Sequence, residues 1–121
     1  MVRAATNFSR NGLTDWLIQR FSAVVLTLYT VFIVGFIAFS QELTYELWHS
    51  LFAQLWVKIF TVIAVVALAS HSWIGLWGVL TDYITNRMIG KRAPGLRLAI
   101  LATYALITLS YVIWVIVILW R

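Results

Sequence analysis

The chain has 121 residues, of which 63% are hydrophobic and 11% charged, and its mean hydropathy of +0.93 lies well above the range of soluble domains. It contains no cysteine, which excludes a disulfide, a thiolate metal site and an iron–sulfur ligand of its own. A net charge of +5 could suggest nucleic-acid binding, but the basic residues flank apolar segments, which is the pattern of a membrane protein.

Three uninterrupted apolar segments run between the charged residues, at positions 21–39, 59–80 and 98–120. Each has roughly the 20 residues that a helix needs to cross a hydrocarbon layer about 30 Å thick. The alternation of a membrane barrel is absent, and a lipid-exposed backbone must satisfy its own hydrogen bonds. The sequence therefore predicts an all-α, multi-pass membrane protein, with three transmembrane helices in one domain covering residues 1–121.

Charge is distributed unevenly between the two sides of this predicted bundle. The connection between the first two helices holds one basic residue, Lys58, and the acids Glu42 and Glu46. The other basic residues before the last position precede the first helix or separate the second from the third: Arg3, Arg10, Arg20, Arg87, Lys91, Arg92 and Arg97. Because basic residues are enriched in cytoplasmic loops, we expect a cytoplasmic N-terminus and a periplasmic C-terminus.

The first span carries hydroxyl groups but no charge. We expect Ser22 and Thr27 to pack against neighbouring helices while their hydroxyls bond the backbone one turn back. Arg20, at the inner boundary, can extend to a lipid phosphate, to an acidic group of a bound cofactor or to Asp15, and a lipid headgroup is the default partner.

Thr44 is placed to cap a short helix between the first two spans, with Glu46 in its first turn. The residues that follow, at positions 45–56, put their leucines broadly on one side, which indicates an interfacial segment. His49 falls in this wet boundary zone, where we expect an ordinary surface histidine.

His71 is the only ionisable residue in the middle of an apolar segment. An imidazole at membrane depth needs a partner, because no water replaces its lost hydrogen bonds. In one hypothesis it bonds a backbone carbonyl or a hydroxyl, such as that of Ser70 or Ser72, and only joins helices. In the other, one nitrogen ligates a haem iron while the second nitrogen donates to a neighbour.

The helical face around His71 has almost no side-chain bulk, so a flat haem or another helix can approach its backbone. Besides His71, that face holds small residues and a terminal acid: Ala64, Ala67, Gly75, Gly78 and Asp82. The chain has no second histidine at membrane depth. A low-spin b-type haem needs two axial ligands and would take the other one from a different subunit.

Asp82 and Tyr83 lie about 16 and 18 Å beyond His71 if the helix continues, which puts them at the inner surface. There, a phenol can donate to a carbonyl oxygen and a carboxylate can supply protons, an arrangement that suits a quinone headgroup. The residues alone favour a simpler interpretation, in which Tyr83 belongs to an aromatic belt and Asp82 pairs with Arg87 at a solvated helix end.

The connection between the second and third spans is basic, and Gly90, Pro94 and Gly95 are its expected helix breakers. We expect it to lie against acidic lipid headgroups or an acidic cytoplasmic partner. In the third span, Tyr104 and Tyr111 are seven residues apart and share a face, which predicts a packing seam.

With these segments in view, the chain resembles the hydrophobic membrane-anchor (D) subunits of bacterial succinate dehydrogenase. Four segments carry the resemblance: RNGLTDWL at 10–17, VLTLYTVFIVGF at 25–36, ELTYELW at 42–48 and HSWIGLWGVLTDY at 71–83. The last is the most specific. The likeness is close over about the first 85 residues, and the third span resembles the family only as an apolar helix.

The resemblance implies three transmembrane helices packed beside three from a cytochrome b subunit. It implies that His71 is one axial ligand of a shared haem b, whose iron takes its other histidine from that subunit. Tyr83 would donate a hydrogen bond to ubiquinone, with Asp82 and Arg20 in its surroundings. The loop at 85–97 is longer and more basic than expected of the family.

The same resemblance implies a place in a larger assembly. The chain would anchor a flavoprotein subunit and an iron–sulfur subunit to the bacterial inner membrane, among membrane lipids, and electrons from succinate would leave at the quinone. It would have no catalytic residue of its own and would act only as a subunit of this oxidoreductase.

Two other classes remain open at this point. A small proton-coupled transporter would be expected to keep a carboxylate within a span, and the segments 21–39, 59–80 and 98–120 contain none. A cofactor-free structural membrane subunit would differ in lacking b-type absorption. A related anchor for fumarate reductase fits the same residues, since the direction of the reaction is set by potentials outside this chain.

Overall fold

The computed structural model describes Ala5 and residues 12–121 of the chain. Within that part the chain is helical, without strands, and its three long helices are α1 (Leu13–Phe39), α3 (Leu55–Tyr83) and α5 (Ala93–Leu119). Each is long and apolar enough to cross a membrane, which confirms the predicted class and the number of spans. Arg3 and Arg10, used above to predict the orientation, lie outside the described residues.

The long helices extend past the apolar segments into their charged flanks. Helix α1 includes Asp15 and Arg20, and α3 begins before Lys58 and ends after Asp82. These charges lie towards the helix ends, where long side chains can extend to the membrane interface and a carboxylate can stay in the wet boundary zone. The charged residues at the edges of the apolar segments therefore do not mark the ends of these helices.

A short helix, α2 (Tyr45–Ala53), connects α1 to α3. Thr44 caps it as predicted, because its hydroxyl accepts from the Leu47 backbone N–H at 3.2 Å and Glu46 lies in the first turn. Leu51 is buried, while Leu55, which was expected on the same side, is exposed. The chain therefore bends at Gln54, which ends α2 and precedes α3.

Helices α1 and α3 pack antiparallel and form the main interface of the bundle. Tyr29 of α1 bonds Thr61 of α3 near the α2 end, and Ser22 bonds His71 closer to the other end. The buried residues of α3 at this interface are mostly small or β-branched: Val57, Thr61, Ala64 and Ala67. Small side chains let two membrane helices approach closely, and hydroxyls join them by hydrogen bonds.

Between α3 and α5, the chain forms a short helix, α4 (Asn86–Ile89), and one turn of 3₁₀ helix (Gly90–Arg92). Gly90 acts as the predicted breaker and has a φ of +82°. Pro94 and Gly95 do not break the helix, contrary to expectation, because they lie in the first turn of α5. Proline is tolerated there, since the first backbone N–H groups of a helix have no partner within it.

Helix α5 packs on α3 through few polar contacts. The Tyr104 hydroxyl oxygen is 3.1 Å from the Ala69 carbonyl oxygen, to which it can donate, and it also contacts the Ser72 hydroxyl. Tyr111 does not share this contact with α3, because it is 59% exposed and stacks on Trp114 of its own helix, so a seam of both tyrosines stays a prediction. Most of the apolar surface of α5 is thus left uncovered by this chain.

Candidate functional site

His71 lies in the C-terminal half of α3 and faces α1. Its Nδ1 atom is 3.1 Å from the Ser22 hydroxyl oxygen, and that oxygen is also 3.1 Å from the backbone carbonyl of Gln19. Ser22 is only 3% exposed, so this contact is sheltered from the surroundings. The structure thus gives the imidazole a partner within the chain, at one of its two nitrogens.

The partner is not one of the two hydroxyls named from the sequence. Ser70 donates to the carbonyl of Val66 at 2.9 Å, and Ser72 donates to that of Leu68 at 2.6 Å. Both serines lie on the same helix as His71 and are turned back onto its backbone. A hydroxyl does bond His71, as one of the two hypotheses held, but it is that of Ser22 on the facing helix and not that of Ser70 or Ser72.

The second ring nitrogen of His71, Nε2, makes no hydrogen bond within residues 12–121. Among the buried side-chain polar atoms of the described residues, only Gln19 Oε1 lacks a hydrogen-bond partner. Nε2 is therefore not a buried atom left without a partner. It reaches the surface of the described part of the chain without a hydrogen bond to it. A neutral imidazole of this kind offers one nitrogen as a ligand while the other is held.

The small-residue face around His71 divides into a covered half and an open half. Ala64 and Ala67 are buried against α1. Gly75 is exposed, with only the Gln19 side chain within 4 Å of where a Cβ would lie, and Gly78 has no such neighbour. The surface from His71 towards the end of α3 is therefore shallow and free of bulk, so a flat molecule can approach it.

These observations test whether the residues suit a haem. His71 presents one ring nitrogen at the chain surface, next to a glycine-lined face, and the buried Gln19 Oε1 lacks a partner beside that face. The residues fit one axial position of a haem. The chain cannot complete the pair, since its other histidine, His49, is exposed on α2 and contacts the Tyr45 ring.

Asp82 and Tyr83 end α3, and both are exposed, Tyr83 by 65%. Arg20 lies farther into the bundle, with its guanidinium 5.7 Å from the centre of the Trp16 ring. Because the neighbouring Gln19 approaches Gly75, the backbone of Arg20 is about 12 Å from Tyr83 along the helix axis. The structure groups Asp82 with Tyr83 and associates Arg20 with Trp16 instead.

Sequence reasoning missed Ser22 and Gln19 as members of the site. Ser22 was expected only to pack and to bond its own backbone, and the bond to Gln19 confirms that part. A signal was present, because antiparallel spans joined by a short connection bring the N-terminal third of the first span beside the C-terminal third of the second. The residues within that third could not be paired, because neither helix rotation nor register follows from hydrophobic segments alone.

Comparisons with known proteins agree with the three apolar helices of the structure. The family described as succinate dehydrogenase/fumarate reductase transmembrane subunit matches residues 2–118. The chain is also 38% identical, over 112 residues, to the succinate dehydrogenase hydrophobic membrane anchor subunit of Coxiella burnetii (strain RSA 493 / Nine Mile phase I). The aligned residues make up 93% of this chain and 91% of that relative. The family match extends through α5, beyond the first 85 residues over which the resemblance was close.

Proposed function

The chain belongs to the succinate dehydrogenase/fumarate reductase transmembrane subunit family, and from this premise we propose a specific role for it in the bacterial inner membrane. It anchors a flavoprotein subunit and an iron–sulfur subunit beside a cytochrome b subunit, and it contributes to a haem site and a quinone site. The chain has no catalytic residue for succinate itself, because its spans hold no carboxylate and its connections are too short to enclose a flavin.

His71 is the proposed axial ligand of haem b on this side of the subunit interface. The observation that carries the proposal is the different position of the two ring nitrogens: Nδ1 bonds the Ser22 hydroxyl, and Nε2 lies at the surface without a hydrogen bond to the described residues. A bound haem supplies one-electron transfer at that position. The chain's own contribution is to orient the imidazole and to leave the face near Gly75 clear.

The cytochrome b subunit is the proposed source of the second histidine. This chain has two histidines, and His49 lies on α2, which precedes the N-terminal end of α3. Large exposed apolar side chains on α1 and α5 offer surface for further helices, as expected of a subunit that does not form a bundle alone.

Tyr83 and Asp82 form the proposed contribution to the ubiquinone site. The phenol is exposed at the end of α3, so its O–H can donate to a quinone carbonyl oxygen that enters from the lipid. The neighbouring carboxylate of Asp82 can hold or pass a proton at the same surface. Arg20 belongs to the wider surroundings, where its charge and the Trp16 ring line the inner boundary.

The haem assignment is tested by His71→Ala in the assembled complex, with His49→Ala as the matched control. We expect His71→Ala to insert normally but to lose or loosen its haem, because one of two axial bonds is removed. His49→Ala should keep a full haem content, since that ring is exposed and contacts Tyr45. The measurement is b-type absorption per complex, and an unchanged spectrum in His71→Ala would refute the assignment.

The quinone assignment is tested by Tyr83→Phe, with Tyr111→Phe as its control. Both phenols are largely exposed, so neither substitution removes a buried contact. We expect Tyr83→Phe to impair quinone reduction while succinate oxidation by artificial dyes stays largely intact. Tyr111→Phe should change neither activity. An equal loss of both activities in Tyr83→Phe would indicate damaged assembly and would contradict the proposed contact.

A further inference from the structure

We propose that Ser22 is a positioning residue that selects which nitrogen of His71 is available to a metal, and this rests on the proposed role of His71 as a haem ligand. Ser22 is one of two buried polar residues in the described part of the chain, the other being Thr61. Burial of a hydroxyl beside an imidazole at membrane depth requires a complete set of hydrogen bonds. The arrangement of hydrogens around Ser22 Oγ decides the tautomer of the ring.

A serine hydroxyl has one hydrogen to donate and can accept two bonds. Ser22 Oγ lies 3.1 Å from the Gln19 carbonyl oxygen, which can only accept, and 3.1 Å from His71 Nδ1. If the hydrogen points to Gln19, the oxygen must accept from an Nδ1–H group. The ring is then protonated at Nδ1, and the lone pair that a metal needs is on Nε2.

The direction of that hydrogen is supported by the other serines of the described chain. Each of them also donates to a backbone carbonyl three or four residues earlier: Ser40, Ser50, Ser70, Ser72 and Ser110. Ser22 follows the same local pattern with Gln19. Its lone pairs are thus left facing α3, where the His71 ring meets them.

The consequence for a bound metal is specific. An acceptor at Nδ1 fixes the ring orientation and raises the basicity of the coordinating nitrogen, and removal of such a partner typically weakens metal binding about 10- to 100-fold. Ser22→Ala leaves a sheltered Nδ1–H without its acceptor and the ring free to turn about χ2. We expect weaker haem retention and a haem potential shifted towards more positive values, because a less basic ligand stabilises the ferric state less.

The experiment compares four substitutions in the assembled complex. Ser22→Ala removes the acceptor, Ser22→Cys keeps the size with a weaker acceptor, and Ser22→Thr restores the hydroxyl. The added methyl of threonine has space, because Ser22 lines an apolar groove of about 450 Å³ between α1 and α3. Ser70→Ala is the matched control, since Ser70 adjoins His71 in sequence but bonds the Val66 carbonyl.

The measurements are haem content, midpoint potential and the electron paramagnetic resonance g-values of the ferric haem, which respond to axial ring orientation. Ser22→Ala and Ser22→Cys should change all three in the same direction, Ser22→Thr should resemble the native protein, and Ser70→Ala should be silent. Should Ser22→Ala fail to assemble, the contrast between Ser22→Cys and Ser22→Thr decides the question.

Unchanged g-values and potential in Ser22→Ala or Ser22→Cys, while His71→Ala loses its haem, would overturn the role of Ser22 and leave the ligand assignment intact. An unchanged haem spectrum in His71→Ala would overturn both. Equal effects of Ser22→Ala and Ser70→Ala would also overturn the proposal, because they would point to general loosening of the helices.

Discussion

The hydrogen bond between Tyr29 and Thr61 provides a quantitative test of how α1 packs on α3. The two hydroxyl oxygens are 2.9 Å apart. Thr61 also donates to the Val57 carbonyl at 2.8 Å, so its single hydrogen is used there and Tyr29 must be the donor. Tyr29→Phe removes this donor but keeps the ring, whose centre is 5.1 Å from that of Phe60 in an edge-to-face contact.

The expected loss is therefore that of one interhelical hydrogen bond, without a cavity. In membrane bundles such bonds contribute about 0.6 kcal/mol on average and about 1.7 kcal/mol at most. Thr61 is buried, so Thr61→Val should destabilise by a similar or somewhat larger amount, because it leaves the Tyr29 hydroxyl without its acceptor. The double substitution should cost less than the sum of the two single ones.

The assay is unfolding of the purified complex in a titration with sodium dodecyl sulfate, followed by circular dichroism. Thr27→Val is the control, because Thr27 is exposed and bonds the Ala23 carbonyl of its own helix. It should change the free energy of unfolding by less than about 0.5 kcal/mol. Strict additivity of Tyr29→Phe and Thr61→Val would refute the register of α1 on α3 described above.

Three further predictions concern other parts of the bundle. Tyr104→Phe removes the hydroxyl that bonds the Ala69 carbonyl and should destabilise the complex by about 0.6 to 1.7 kcal/mol in the same titration. Thr44→Ala removes the cap of α2 and should cost about 0.5 to 2 kcal/mol, and a value near zero would contradict the capping geometry. Gly90→Ala should cost about 1 to 3 kcal/mol because φ is +82°, whereas Gly95→Ala, in the first turn of α5 with no neighbour within 4 Å of the added Cβ, should be neutral or stabilising.

The proposed haem and quinone contributions place different demands on α3. His71 must be held rigidly, and it is held by a hydroxyl from another helix. Tyr83 must remain accessible to a molecule that enters from the lipid, and it is exposed at the helix end. One helix can meet both demands, because packing against α1 buries Ala64 and Ala67 while Gly75 stays exposed.

The unpartnered surface of α5 is consistent with membership of a multisubunit family. Its apolar side chains are largely exposed, including Tyr111 and Trp114. In a lipid bilayer this exposure carries no hydrophobic penalty, so the surface can face either lipid or another subunit. The few polar contacts of α5 with α3 suggest that the neighbouring subunits contribute to its position in the complex.

The amino-acid sequence by itself determined the class, the number of spans and the central histidine. These follow from the length of apolar segments and from the cost of an unpaired imidazole in hydrocarbon, both of which are local properties. The cap at Thr44 was also predictable, because a capping hydroxyl bonds a backbone N–H only three residues later in the chain. The breakers were predicted with less success, because Pro94 and Gly95 are tolerated in the first turn of a helix.

Only the tertiary structure decided which residues meet. An apolar helix in lipid has no face that must turn inward, so the rotation of α1 and α5 about their axes cannot be deduced from hydrophobicity. That is why Ser22 was not paired with His71, and why the contact of Tyr104 with α3 could not be told from the exposed position of Tyr111. Close packing and interhelical hydrogen bonds select one register, and that register determines which ring nitrogen remains free.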